Sequence, residues 1–546
     1  MFARVKKSGK YQYLQIVENK KEKGKVKQRV IATVGRMDEL EAKGRIETLV
    51  RSLSRFSERT MLVLSGSSEV LAEAKKIGPA LIFERLWERT GIKHAIEKAL
   101  SGRCFQFNVE RAIFLTVLHR LMVSGSDRFC DRWHRDYIID GVDGLGLHHL
   151  YRAMAFLGEE LPDQKNAGPF TPRCNKDLIE EDIFFHRRDL FTELDLVFFD
   201  TTSIYFEGKG GQTLGRRGFS KDHRPDLRQM VVGVIIDSLG QPICCQMWPG
   251  NTADVSSLLP VVEEVKKRFA IRSFCIVADR GMISDKTISA LESDDSPMLY
   301  ILGARMRRVK SIREKVLSWP GRYTQVREEG KSTKDPSPLK VKQVTLDGRR
   351  YILCENPRQA RKEAKDREAI VSDLKEKLKQ GPKALVGNKG YRKFLKVAKD
   401  SVKIDEAKIA SEARFDGKWV LQTNTDLSAS QVALKYKQLW QVERIFRDVK
   451  TLIETRPVFH KHDRTIRGHV FCSFLALVLR KELDRCLETA GYRFEWAQIK
   501  QDLKALQTVT IVENGKSLSV RTQCKGVCGK VFQAAGVAPP PTIREM

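Results

Sequence analysis

The spacing of hydrophobic and polar residues changes along the chain, and each pattern predicts a different kind of element. In residues 11–34, YQYLQIVE and VKQRVIATV alternate on either side of a polar turn at Gly24, which predicts a β-hairpin. Residues 38–155 carry apolar residues mainly at helical spacing, most clearly in VERAIFLTVLHRLMV (109–123). The chain is therefore expected to begin with a small β unit followed by a mainly helical region.

Short apolar runs replace the helical spacing from Leu194 onward. LVFFDTTSIYF, MVVGVIID and PICCQMW predict three strands, with a turn at 238–241 before the third. A helix capped by Asp254 and running to about Phe269, the strand FCIVAD, a helix from about Ser284 and the strand MLYILGA follow. Three strands, a helix, a strand, a helix and a strand is the order of the RNase H-like fold, in which helices pack on a mixed sheet.

A basic and polar stretch interrupts this order and is interpreted as an insertion. It contains the polar run GKSTKDPSP, strands around VKQVTLDGRRYILC and a charged helix with several lysines up to Lys383. WVLQTNTD then returns to strand, a long helix begins near Ser428, and the tail AAGVAPPPTIREM is expected to be loose.

The predicted class is thus α+β or mixed α/β. It comprises a small β-hairpin unit, a mainly helical N-terminal region and an RNase H-like core, a mixed five-stranded sheet with helices that a β-rich insertion interrupts. The expected segments are, in order, the β unit, the helical and DNA-binding region, the first part of the core, the insertion, the second part of the core and a C-terminal extension: 1–37, 38–190, 191–304, 305–418, 419–490 and 491–546.

The charge of the chain points to its partner. Its 546 residues carry 98 Lys and Arg against 69 Asp and Glu, a net charge of +29. Such an excess repels itself unless it meets a polyanion, and nucleic acid is the usual one. The N-terminus has no apolar signal sequence and the longest apolar runs, such as FLALVL, are too short to span a bilayer, so a cytoplasmic protein without membrane contact is expected. The lysines of the β unit either contact DNA or face solvent.

Two acidic residues stand where a strand should be buried. Asp200 follows LVFF, and Asp279 follows CIVA. A buried acid is costly unless it is paired or binds metal, although a strand-end Asp bonded to a neighbouring Thr or Ser is an ordinary alternative. In the predicted topology the two strands are neighbours, so the carboxylates would repel each other unless a divalent cation lay between them.

A third acid lies on the predicted long helix KYKQLWQVERIFRDVK. Tyr436, Glu443 and Lys450 are seven residues apart and would share one face of a continuous helix. The alternative is a solvent-exposed edge with a Glu443–Arg447 pair at i, i+4.

Several segments, in order, resemble the DDE transposases of bacterial insertion sequences, in the group marked by a Y-R-E-K signature: DLVFFDTTSIYFEG, SKDHRPDLRQMVVGVIID, MWPGNTAD, IVADRGMIS, YILGAR and YKQLWQVERIFRDVK. The resemblance implies an RNase H-like catalytic domain with an insertion before the Glu. It implies that Asp200, Asp279 and Glu443 are the catalytic, metal-binding triad. Two Mg²⁺ (or Mn²⁺) ions, double-stranded DNA as substrate, and end cleavage followed by strand transfer are implied with it.

The resemblance also suggests residues for DNA contacts. Tyr436 and Lys450 would hold phosphates near the cut, and Tyr436 or Trp440 would stack on a displaced base. Leu439 stands where the signature has arginine, and Arg444 or Lys437 from the neighbouring turn would replace it. Arg280 either neutralises a phosphate or pairs with an acid. The full set of expected DNA-binding residues is Tyr436, Lys450, Arg447, Arg444, Trp440, Arg280 and Lys221.

Other functions fit the same residues less well. Another RNase H-like nuclease remains open, as does a domesticated or decayed transposase that only binds DNA. A phosphate-loop motor is excluded, because Gln325 and Thr510 occupy the positions where the loop before each GKS needs glycine. His460, His462 and His469 are expected at phosphates or on the surface. A homodimer is expected, since two element ends must be held together.

Overall fold

The structure is a computed structural model that describes residues 2–22, 25–42, 44–46, 48–49, 71–165, 167–168, 171–187, 196–271, 274–293, 298–326, 339–380, 393–398, 401–447, 458–513 and 516–545. The chain divides into two compact units. One comprises Met1–Gly78, Phe494–Lys530 and Ala538–Met546, and the other comprises Pro79–Arg493 and Val531–Val537.

The described residues contain both strands and helices. The strands are β1 (Phe2–Ser8), β2 (Tyr11–Glu22), β3 (Lys25–Arg36), β4 (Leu71–Lys76), β5 (Leu196–Tyr205), β6 (Gln229–Asp237), β7 (Pro242–Pro249), β8 (Cys275–Ala278), β9 (Leu299–Gly303), β10 (Thr324–Val326), β11 (Leu339–Leu346), β12 (Arg349–Glu355), β13 (Leu395–Ala398), β14 (Ser401–Ile404), β15 (Lys418–Thr423), β16 (Gln507–Glu513), β17 (Lys516–Arg521) and β18 (Ile543–Glu545). The helices are α1 (Met37–Ala42), α2 (Gly78–Arg89), α3 (Ile92–Ala99), α4 (Val109–Met122), α5 (Asp127–Trp133), α6 (Leu147–Leu157), α7 (Asn175–Arg187), α8 (Asp254–Phe269), α9 (Asp285–Leu291), α10 (Pro357–Gln380), α11 (Glu406–Ala413), α12 (Ala429–Lys437), α13 (Trp440–Arg447), α14 (Asp463–Thr489), α15 (Trp496–Ala505) and α16 (Cys528–Ala535).

The first unit contains two antiparallel sheets. β1, β2 and β3 form one of them, so the predicted hairpin is confirmed and gains a third strand, while its turn at Gly24 lies outside the described residues. β1 has the basic sequence FARVKKS and is almost fully exposed, which explains why hydrophobic patterning missed it.

The second sheet of this unit joins distant parts of the chain, in the order β18-β17-β16-β4. The expectation of a loose tail was wrong, because β18 pairs with the edge of β17 and the backbone amide of Arg521 donates to the carbonyl of Thr542. Backbone pairing of this kind leaves little trace in composition, and the tail is rich in proline.

A nine-stranded mixed sheet is the centre of the second unit, in the order β10-β11-β12-β15-β9-β8-β5-β6-β7. β8 and β9 run parallel to β5, and β6 runs antiparallel to it. Apolar residues of α8 and α9 pack on one face, against residues such as Val197 and Phe199 of β5. The strands and helices predicted between Leu196 and Gly303 are confirmed to within a few residues, and the mixed α+β class is confirmed with them.

The insertion differs from its prediction. It was expected as a separate β-rich subdomain beside a five-stranded core, but β15 pairs with β9 and β12 pairs with β15, so β10–β12 extend the core sheet to nine strands. Edge pairing explains the difference, since β15 would otherwise leave a row of unpaired backbone groups on the side away from β9. The charged helix expected in the insertion is present as α10, and the β13–β14 hairpin and α11 follow it, whereas the GKSTKDPSP run and Lys383 lie outside the described residues.

The mainly helical N-terminal region is confirmed for α2–α7, with β4 as an unexpected strand before them. The buried helix α14 packs against α4, α6 and β7. No helix within the described ranges is both long enough and apolar enough to cross a membrane.

Candidate active site

The two candidate aspartates lie side by side on neighbouring parallel strands. In the pair β5–β8 the last registered partners are Phe199 and Ala278, so the next residues are Asp200, which lies within β5, and Asp279, which directly follows the end of β8. Neighbouring strands lie about 4.8 Å apart, which places the two residues next to each other. The proximity expected from the sequence is therefore present.

Asp200 is a carboxyl group largely removed from water. Burial, together with the nearby acids Asp279 and Asp254, raises its pKa from 3.8 to about 6. Lys221 and the backbone amide of Thr201, which donates to Oδ1 of Asp200 over 2.7 Å, oppose this rise. The described protein groups thus compensate the charge of the Asp200 carboxylate only in part.

Asp279 receives a hydrogen bond from the helix side of the site. The hydroxyl of Tyr436 donates to its Oδ1 over 3.1 Å. Burial and the neighbouring carboxylate raise the pKa of Tyr436 far above its usual value, so the phenol stays protonated and remains a donor. A Cβ built on Gly303 would lie only 2.4 Å from this hydroxyl, so glycine is required there for Tyr436 to reach Asp279.

Arg305, from the basic stretch that follows β9, fixes the turn after Asp279. The guanidinium of Arg305 donates to the carbonyls of Arg280 and Gly281, over 3.0 Å each. Arg280 itself is exposed. The arginine cluster after β9 therefore contributes at least one structural contact to the site.

The single long helix that was predicted from Ser428 is wrong. Ser428 caps α12 with a capping box, but α12 ends at Lys437 and α13 begins at Trp440. The turn at Gln438 and Leu439 breaks the seven-residue spacing, so Tyr436 and Glu443 lie on two helices. The sequence holds no proline or glycine here, and Leu439 is buried, which leaves no clear sequence signal for the break.

Glu443 lies on the exposed face of α13, as do Arg444 and Arg447. The opposite face, with Val442, Ile445 and Phe446, is buried, and α13 packs against β5, the strand of Asp200. Lys450 lies outside the described residues, and Trp440 is described by its backbone alone.

Lys221, expected as a DNA contact, is already engaged by protein groups. Its ammonium donates to the carbonyl of Thr201 over 2.8 Å and to its hydroxyl over 2.9 Å, and it pairs with Asp254 at 3.2 Å. Asp254 was predicted only as a helix cap, but Ala253 is the N-cap of α8 and Asp254 accepts a hydrogen bond from the Thr201 hydroxyl over 2.7 Å. The motif MWPGNTAD carried this acid, but nothing in its spacing linked it to Asp200.

Two of the three histidines that follow α13 in the chain join a second polar cluster. Asp127, His460 and His469 place one ligand-type atom each within 4.8 Å of one another, whereas His462 is exposed. The guanidinium of Arg120 lies 2.8 Å from Nδ1 of His469 and 3.7 Å from Asp127. A positive charge already balances this cluster, so it suits a divalent cation less well than Asp200 and Asp279 do.

Comparison with known proteins gives a family for this chain. Residues 3–69 match the N-terminal domain of the IS1634 family transposases, and residues 192–479, more than half of the chain, match the transposase DDE domain. No curated protein matches. A solved piggyBac transposase, in a synaptic complex with hairpin DNA, is 12% identical over 78% of this chain and 79% of that one, with a TM-score of 0.36. A likeness this weak supports no statement about the present chain.

Members of the matched DDE family act on DNA and generally use divalent metal ions. The matched range contains Asp200, Asp279, Tyr436 and Glu443. The chain belongs to the transposase DDE domain family and is an insertion-sequence DNA transposase, a nuclease and strand transferase.

Proposed function

We propose that Asp200, Asp279 and Glu443 are the acidic triad of this transposase and hold two Mg²⁺ or Mn²⁺ ions. The observation that carries the proposal is the adjacency of Asp200, within β5, and Asp279, directly after the parallel strand β8, with burial raising the pKa of Asp200. Two carboxylates in this setting form a site that a divalent cation would stabilise.

The donor atoms fit the ions. Carboxylate oxygens are the ligands that Mg²⁺ and Mn²⁺ prefer. Bound ions would activate a water or a 3′-hydroxyl and stabilise the leaving oxygen during phosphodiester cleavage and strand transfer. Glu443 supports the assignment because α13 packs against the strand of Asp200 and its Glu443 side is open to incoming ligands.

The core of the second unit is proposed to be RNase H-like. Five of its strands follow the order β9-β8-β5-β6-β7, with β5, β8 and β9 parallel to each other and β6 antiparallel to β5. This arrangement places Asp200 on the central strand of the five and Asp279 on its neighbour. The segment boundaries expected from the sequence are likewise proposals.

The residues around the triad divide into two groups. Tyr436 and Lys221 act on the protein itself, Tyr436 through Asp279 and Lys221 through Thr201. Arg280, Arg444 and Arg447 are exposed around the acids and are proposed to hold DNA phosphates, which gives affinity without sequence information. Lys450 and Trp440 stay predictions from the resemblance, as does a homodimer on paired ends.

Cleavage of plasmid DNA that carries the flanking terminal repeats tests the triad. Wild type, Asp200→Asn and Glu443→Ala are compared in Mg²⁺ and in EDTA. Glu406→Ala is a matched control, because Glu406 is also an exposed glutamate in the first turn of an eight-residue helix. We expect metal-dependent cleavage that both triad variants lose and the control retains.

Two other outcomes have definite meanings. Cleavage that survives Glu443→Ala assigns the third acid to another residue. DNA binding without cleavage in wild type indicates a decayed transposase that only binds DNA, the alternative that intact Asp200, Asp279 and Glu443 argue against.

A further inference from the structure

An acid outside the proposed triad, Asp254, lies beside the part of β5 that carries Asp200. Asp254 is the first residue of α8, and its two carboxylate oxygens have different partners. Oδ1 accepts the hydroxyl of Thr201 over 2.7 Å, and Oδ2 pairs with the ammonium of Lys221 at 3.2 Å. A Cβ built on Gly281 would lie 3.7 Å from Oδ2, so the carboxylate also faces the turn that follows Asp279.

Lys221 connects this acid to the backbone of β5. Its ammonium donates to the carbonyl of Thr201 over 2.8 Å, and its own backbone amide donates to the hydroxyl of Ser203 over 2.8 Å. Strand β5, the loop before β6 and the start of α8 therefore meet at Thr201, the residue after Asp200. Both side chains of the ion pair are about one-third exposed or less, at 30% and 27%.

Asp254 approaches the strand from the face opposite Asp200. Side chains alternate along a strand, and Phe199 lies in the core beneath α8, so Thr201 shares the α8 face while Asp200 points to the other. Asp254 consequently reaches Asp200 through Thr201 and Lys221. Among the described groups, the ammonium of Lys221 does most to lower the pKa of Asp200, and Asp254 pairs with that ammonium at 3.2 Å.

We propose that Asp254 and Lys221 are a positioning pair that sets how strongly Asp200 and Asp279 attract a divalent cation. The inference rests on the proposed function of those two aspartates. Lys221 reduces the negative potential around Asp200 and Asp279, and Asp254 restores part of it. The two members of the pair therefore affect cation affinity in opposite directions, although they form one ion pair.

Manganese binding to the full chain, without DNA, tests the pair. Free Mn²⁺ is followed by electron paramagnetic resonance during titration. Asp254→Asn should weaken binding and Lys221→Met should strengthen it, each by about tenfold, the size expected for removing one charge near a partly buried divalent site. Asp226→Asn is the control, because Asp226 is an exposed acid on the same loop as Lys221 and pairs with the exposed Arg224. The Mn²⁺ affinity of this variant should stay within twofold of wild type.

The conservative variant Lys221→Arg keeps the charge and should bind Mn²⁺ as wild type does. If Asp254→Asn fails to fold, as judged by thermal unfolding, the comparison of Lys221→Met with Lys221→Arg carries the test alone. A purely structural ion pair predicts that both halves change affinity in the same direction or not at all, and either result overturns the proposal.

Failure of the pair is distinguishable from failure of the site. Asp200→Asn and Asp279→Asn should each abolish the tight Mn²⁺ binding. If they bind as wild type does, the proposed metal site is wrong. If they lose binding while Asp254→Asn and Lys221→Met match wild type, the site stands and the positioning pair is wrong.

Discussion

Tyr436 donates a hydrogen bond to Oδ1 of Asp279 over 3.1 Å and so links helix α12 to the end of strand β8. The phenol is held in its neutral form by burial, and a neutral donor can orient a carboxylate without cancelling its charge. The resemblance alone implied a phosphate contact for this tyrosine. The observed contact gives it an additional role, the orientation of an acid of the proposed triad.

Tyr436→Phe tests this orientation role. The substitution removes one hydrogen bond to a charged group, which is worth about 1.5–3 kcal/mol, so single-turnover cleavage should fall by roughly 10- to 100-fold. DNA affinity, measured by gel shift in Ca²⁺, should stay within about twofold. An equal loss of DNA affinity and of cleavage would instead identify Tyr436 mainly as a phosphate contact.

Gly303→Ala should disturb the same contact from the opposite side. The new methyl would lie 2.4 Å from the Tyr436 hydroxyl and 3.1 Å from the amide of Arg280, so Tyr436 must move. Cleavage should drop at least as far as in Tyr436→Phe, and the double variant should be less impaired than the sum of the two changes in activation free energy. Gly529→Ala is the control, because a Cβ there meets no atom within 4 Å. Strict additivity in the double variant would mean that Gly303 acts elsewhere.

Hydrophobic patterning predicted the elements around the acids well and their connections less well. β5 and β8 each contain a short apolar run followed by an aspartate, a pattern that can be read from the sequence, and their adjacency follows from the topology. The break at Leu439 depends on how α12 and α13 pack on different strands, and such packing has no local signature. The same holds for the Asp254–Lys221 contact, which joins a loop residue to the first residue of α8, 33 positions further along the chain.

Asp200 should make the metal-free protein less stable as the pH rises. Its folded-state pKa, about 6, lies above the ordinary 3.8, so between these values the folded protein retains a proton that the unfolded chain releases. The stability that protonation provides is complete below pH 4 and is lost as the pH rises through 6. Asp200→Asn removes the ionisable group, so this variant should not lose stability in this way as the pH rises.

In EDTA, Asp200→Asn should therefore exceed wild type in stability by about 2–3 kcal/mol at pH 8 and match it at pH 4, since each pKa unit corresponds to about 1.4 kcal/mol. Thermal unfolding at the two pH values measures the difference. Added Mn²⁺ should narrow the gap at pH 8, because it binds the folded wild type. A stability difference between Asp200→Asn and wild type that is the same at both pH values would mean that packing, and not ionisation, causes it.

Arg268 is expected to be the most sensitive charged position in the core beneath α8. Its guanidinium is fully buried and contacts four acids, Asp177, Glu180, Glu181 and Glu264, over 2.7–3.2 Å. Arg268→Met would remove one cation from this buried cluster, in which Lys176 still pairs with Asp177 and Glu180 and Arg173 still pairs with Glu181. Removing one partner of a buried ion pair typically costs about 3–5 kcal/mol. Arg268→Lys should recover only part of this, because an ammonium cannot present the same fork of donors to four partners.

The comparison with an exposed pair makes the Arg268 prediction specific. Arg224→Met removes the exposed contacts with Asp226 and with the ring of Tyr205, and it should leave the unfolding temperature close to that of wild type. Thermal unfolding of the three full-length variants tests this. The unfolding temperature of Arg268→Met should lie well below that of Arg268→Lys, and that of Arg224→Met should be close to wild type. Because α8 also begins with Asp254, Arg268→Met should lower the temperature at which DNA cleavage is lost while leaving the rate at low temperature nearly unchanged. A cleavage defect that persists at temperatures where the variant is fully folded would mean that Arg268 influences the site through α8 itself and not only through stability.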